Sequence, residues 1–111
     1  MSMRSTIFAP AVLAAFVVLA GAGPAHAQAD SQARYLAGNC ANCHGTDGRS
    51  AGGGGMPGLA GLSQTYFMEQ MKAFRDGTRK ATIMNQIAKG YSEEQLAALA
   101  EFFSRQQKAG Q

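Results

Sequence analysis

Two stretches of the chain repeat apolar residues at helical spacing over several turns. In Ser63 to Asp76, Phe67, Met71 and Phe74 fall at i, i+4 and i+7 and share one helical face, with Met68 beside it. Ser63 is placed to cap this helix, Lys72 and Arg75 sit near the end where cations suit the dipole, and Gly77 stops it. In the second stretch Leu96, Leu99, Ala100 and Phe103 repeat at i, i+3, i+4 and i+7. Ser92-Glu93-Glu94-Gln95 starts that helix with a capping box, and it ends near Gln107. A shorter helix is predicted over Ser31 to Gly38, where Ala33, Leu36 and Ala37 are helically spaced and Ser31 is the candidate cap. Ala33, Ala37 and Gly38 would let another helix approach closely. Ile83 to Ala88 predicts a short turn or helix closed by Gly90, His44 to Gly61 a loop, and Thr78 to Thr82 a connector. No segment alternates with period two, so the predicted fold class is all-α.

The N-terminus follows another pattern. Ile7 to Ala22 is an apolar run interrupted by Pro10, Arg4 is the only charge before Asp30, and Ala25-His26-Ala27 is a small-residue exit. A positive start, a short apolar core and such an exit describe a secretory signal. The rival is an uncleaved anchor, but Pro10, Gly21, Gly23 and Pro24 break the stretch that would have to span a bilayer. The expected organisation is a cleaved signal over residues 1–27, one domain over residues 28–111, and no membrane anchor. Loss of Arg4 lowers the formal net charge of +3 by one. So small a charge is no footprint for nucleic acid. The glycine run at residues 52–55 lacks the preceding strand, following helix and Gly-Lys-Ser/Thr ending of a phosphate loop, and reads as a surface loop.

Chemistry concentrates at Cys40-Ala41-Asn42-Cys43-His44. A zinc site would need two further ligands, and His26, the other histidine, leaves with the signal. A redox dithiol should sit in a βαβ pattern, and none is visible. Two thiols about one helical turn apart, with a histidine next to the second, form the attachment motif for one covalent haem c. Cys40 and Cys43 would each add to a vinyl group, and His44 would bind the iron. A chain this small, left after cleavage, buries little core of its own, so haem and fold are expected to be coupled.

No histidine besides His44 survives cleavage, so bis-histidine ligation within one protomer is excluded. The sixth position is methionine, another weaker ligand or open to solvent, and four methionines compete for it. Met68 and Met71 belong with the packing of the middle helix. Met56 adjoins Pro57, whose carbonyl could accept the ring N–H of His44 and so hold Met56 on the histidine side. Met84 lies beyond the middle helix, where the chain has room to reach the other face, and is the expected ligand. Two protein ligands would leave no open position for oxygen or peroxide, which fits an electron carrier without a catalytic site of its own. Arg79 is a candidate contact for a haem propionate because it closely precedes Met84. Tyr35, Tyr66 and Tyr91 could each pack on the ring or bond a propionate.

From about Leu36 to Phe103 the chain resembles the small class I c-type cytochromes of bacteria. The matching pieces are Gly38 to Gly48 around the haem motif, Pro57-Gly58-Leu59-Ala60-Gly61, Phe74-Arg75-Asp76-Gly77 with Arg79, Ile83-Met84, and Gly90 to Leu96. The resemblance implies the cytochrome c fold with crossed first and last helices, His44 and Met84 as axial ligands, and the Pro57 carbonyl on His44. Export by the signal over residues 1–27 implies a periplasmic location. Tyr66 to Phe74 and Thr82 to Ser92 are most similar to the cytochrome subunit of flavocytochrome c sulfide dehydrogenase. That similarity implies a flavoprotein sulfide dehydrogenase subunit as partner and other redox proteins as electron acceptors. The alternatives are a free-standing shuttle between respiratory complexes and, from a different class, a haem sensor or peroxidase with a labile sixth ligand.

Overall fold

The computed structural model describes residues 23–110. The apolar run of the expected signal, Ile7 to Ala22, lies outside the described residues. Four α-helices follow in order: α1 (Gly23–His44), α2 (Gln64–Asp76), α3 (Met84–Ile87) and α4 (Glu93–Ser104). Short 3-10 turns stand at Thr46–Gly48, Gly53–Gly55 and Ala88–Gly90, and there is no strand among the described residues. No helix among the described residues is long and apolar enough to cross a membrane.

α2 and α4 begin where their local chemistry places them. The Ser63 hydroxyl accepts from the Tyr66 amide, and Gly77 ends α2 in the left-handed conformation. Ser92 and Gln95 close a reciprocal capping box at the start of α4.

α1 differs from the expectation. It begins at Gly23, ahead of Ser31, and runs through Gly38 to His44. Ser31 is therefore no cap; its hydroxyl donates back to the Gln28 carbonyl at 2.9 Å. Gly38 does not serve helix contact either, since a Cβ built there would meet nothing within 4 Å. Ala33 and Ala37 do: both are buried, in the core that α1 and α4 share. That packing carries the helix through a Gly-Asn pair that locally signals a break.

α4 supplies half of the core, with Leu96, Leu99, Ala100, Phe102 and Phe103. Phe103 is fully buried and lies 5.7 Å, centroid to centroid, from Phe67 of α2 and 5.3 Å, edge to face, from Phe102. Burying two such rings favours folding by about 2–3 kcal/mol each.

The segment after α1 folds back tightly. Gly48 accepts at its carbonyl from the amides of both Leu59 and Ala60, and its φ is +74°. Asp47 also takes a positive φ, with Arg34 at 3.6 Å and Arg49 at 3.9 Å from its carboxylate. At residues 52–55 the chain makes an exposed excursion closed by the Ser50 hydroxyl, which donates to the Met56 carbonyl at 2.8 Å. Gly52, Gly54 and Gly55 have positive φ there, and none of their sites is hemmed in by a neighbour.

Candidate haem-binding site

The last turns of α1 carry both cysteines, and neither is in a disulfide. Cys40 is half-buried, and that burial, with Cys43 nearby adding to it, pushes its thiol pKa up. Cys43 is exposed. Residues three apart on a helix share a face, so the two thiols stand one turn apart on one wall.

His44 closes the helix and is 8 % exposed. Its Nδ1 lies 2.7 Å from the Pro57 carbonyl oxygen. A carbonyl can only accept, so Nδ1 carries a proton; in the neutral ring this leaves the lone pair on Nε2, the atom by which such an imidazole binds a metal.

Cys40, Cys43 and His44 open on one cavity of about 580 Å³. Pockets for small molecules and cofactors span roughly 300–1,000 Å³. Leu59, Leu62, Phe67, Phe74 and Leu99 give it apolar walls. Its charged lining among the described residues is Arg79 and Lys80, with no carboxylate. Two thiols, an imidazole with a free lone pair, apolar walls and a cationic edge match a flat apolar group bearing carboxylates, held by covalent sulfur links and a metal bond.

Three of the four candidate methionines line this cavity: Met56, Met71 and Met84. Met68 packs on the core and is not part of the lining. Met71 is 7 % exposed and belongs to the core stripe with Phe67. Met56 adjoins Pro57, whose carbonyl faces His44, and its own carbonyl is held by Ser50. Met84 begins α3 and is half-buried. Among the tyrosines, Tyr66 and Tyr91 line the cavity, whereas Tyr35 is outside it and 80 % exposed.

Arg79 is engaged within the wall. Its guanidinium stacks on Phe74, 4.6 Å from the ring centroid, and donates to Gln70 at 2.5 Å. Arg75 donates to the Tyr91 carbonyl and to Glu93, each at 2.5 Å, tying the end of α2 to the chain that leads into α4. Neither Gln70 nor Asn85 stood out in the sequence. Asn85 bonds the backbone of the segment before Met84. Its signal, an asparagine just beyond a structureless connector, is common to many turns.

A helical shell around an apolar cavity, with two free thiols and a buried imidazole on one wall, defines a c-type haem protein. The chain belongs to the cytochrome c family, whose model matches residues 28–106. Membership implies covalently bound haem c and makes the protein an electron carrier. It is 36% identical over 105 residues to the cytochrome subunit of sulfide dehydrogenase from Chlorobaculum tepidum, covering 90% of this chain and 94% of that one. It is 42% identical over 73 residues to cytochrome c-554(548) of Halomonas halodenitrificans, covering 63% of this chain and 87% of that one. Among solved structures, that of Acidithiobacillus ferrooxidans cytochrome c4 matches with a TM-score of 0.60 and 35% identity, over 70% of this chain and 49% of that one. The chain thus spans about half the length of that cytochrome c4.

Proposed function

We propose that the protein is a periplasmic mono-haem cytochrome c, freed from a signal over residues 1–27, that accepts electrons as the haem subunit of a flavin-dependent sulfide dehydrogenase. The observation that carries electron transfer is that Cys40, Cys43, His44 and Met84 all line one apolar cavity. Bound haem supplies a one-electron iron couple. Cys40 and Cys43 would hold it by thioether links, and His44 and Met84 would supply a nitrogen and a sulfur ligand to its iron. The Pro57 carbonyl fixes the tautomer and plane of the His44 ring and raises its basicity. The thioether of Met84, a weaker donor, favours the reduced state. Arg79 and Lys80 line the same cavity and would offer cations to the propionates. The apolar walls exclude water and so limit the reorganisation that accompanies each change of charge.

The similarity to the Chlorobaculum tepidum subunit over nearly the full length of both chains supports the sulfide dehydrogenase reading, with a flavoprotein as partner. The test is an absorption spectrum of protein purified gently, at low salt, from its native periplasm, before and after adding sulfide. Co-purifying flavin and rapid reduction of the haem are expected. Haem alone, reduced by sulfide no faster than in an unrelated cytochrome, would overturn this assignment and leave the second reading. That reading is a free-standing shuttle between respiratory complexes, favoured by the similarity to cytochromes c-554(548) and c4. Intact mass of the purified protein checks both the start at Gln28 and the single haem.

A further inference from the structure

From Arg79 to Ile83 the chain runs as an exposed strap, without helix or strand, along the cavity to Met84. Its start is fixed by the Arg79 amide, which donates to the Ala73 carbonyl of α2 at 3.1 Å. The rest is organised by one side chain. Asn85 accepts from the Ala81 amide at 2.9 Å through Oδ1. Through Nδ2 it donates to the Arg79 carbonyl and to the Phe74 carbonyl of α2, both at 2.8 Å. One amide thus ties the end of α2, the start of the strap and its middle to the residue next to Met84.

We propose that Asn85 is the positioning residue for Met84, holding the strap so that the thioether stays presented to the cavity. The inference rests on Met84 being the sixth ligand. A neutral thioether is a weak donor and cannot by itself order an exposed strap against its chain entropy. The order must be built into the protein, and Asn85 supplies it with two donors and one acceptor that match two carbonyls and one amide. A carboxylate of the same size would keep the acceptor, lose both donors and face two carbonyl oxygens with its charge.

The test compares carbon monoxide binding by the reduced holoprotein with Asn85→Ala, Asn85→Asp and Met84→Ala. Measurements are made well below each melting temperature, with helix content checked by circular dichroism. Asn85→Ala loses all three hydrogen bonds, and Asn85→Asp loses two and sets a charge against two carbonyls. Each should raise the population with an open sixth position, so both variants are expected to bind carbon monoxide roughly tenfold faster or more than wild type. Met84→Ala sets the fast limit. Asn85 variants as slow as wild type, beside a fast Met84→Ala, would overturn the role of Asn85 alone. A Met84→Ala protein as slow as wild type would overturn the ligand assignment and the positioning role with it. Hydrogen exchange on the wild-type holoprotein gives a reading independent of variant folding. The Ala81 amide is expected to be protected, and exchange at the open-chain rate would refute the proposal.

Discussion

Pro57 holds its carbonyl oxygen 2.7 Å from Nδ1 of His44, across a loop that is itself doubly closed. The Ser50 amide donates to the His44 carbonyl at 2.8 Å, and the Ser50 hydroxyl donates to the Met56 carbonyl. Pro57→Ala keeps the carbonyl but frees its φ, at a cost of about 0.4–1 kcal/mol. The holoprotein should form, melt slightly earlier and show a higher reduction potential, because a loosened bond makes His44 a weaker donor. Voltammetry and thermal melting check the two effects together.

Met84→Ala removes the proposed sixth ligand. The spectrum of the oxidised protein should lose its thioether-to-iron band, and the reduction potential should fall as water or a stronger donor takes the position. An unchanged spectrum would move the ligand to Met56 or Met71, which line the same cavity.

Gly48 lies against the core: a Cβ there would come within 2.8 Å of Leu59 Cβ and 2.9 Å of the Phe103 ring. The residue also has a φ of +74°. Gly48→Ala combines overpacking with backbone strain and should cost about 2–4 kcal/mol, read as a lower denaturant midpoint at unchanged slope.

Ser92→Ala removes the acceptor for the Gln95 amide at the start of α4. About 1 kcal/mol of stability should be lost. Because α4 supplies half of the core, the loss should appear in global unfolding and in haem retention under denaturant alike.

Glu94 is exposed in the first turn of α4, and its pKa is held below the usual 4.5 by its own backbone amide and by the Ser92 hydroxyl. The folded state thus prefers the charged carboxylate. Its contribution is present above the ordinary carboxylate range and is lost as pH falls through the depressed value. Glu94→Gln should therefore melt below wild type at neutral pH, and the two curves should converge in acid.

What could be read from the sequence was local. Ser63, Gly77 and the Ser92–Gln95 box act on amides and carbonyls within a few residues of themselves, so their types and spacing suffice to place α2 and α4. The haem motif is legible for the same reason, being confined to one helical turn. The expected helix over Ser31 to Gly38 falls short of the observed end at His44 because the penalty of a glycine inside a helix, about 1 kcal/mol, is small beside the packing of Ala33 and Ala37 against α4. The bonds of Arg75 to Tyr91 and Glu93, of Arg105 to Asp30, and of Arg34 to Asp47 join residues distant in the chain. Nothing in composition or periodicity selects those pairings. Asn85 escaped notice because its three partners are backbone groups, which every sequence possesses.

The excursion at residues 52–55 has open space around every glycine, yet three of the four sit at positive φ. What restricts this segment is handedness rather than room. A methyl group of L configuration at Gly52, Gly54 or Gly55 would strain the backbone, whereas its mirror image would be at ease there. Semisynthesis with D-alanine at these positions would stiffen the rim beside Met56 without touching another side chain. The loop is thus a place where rigidity next to the haem pocket could be adjusted by chirality alone.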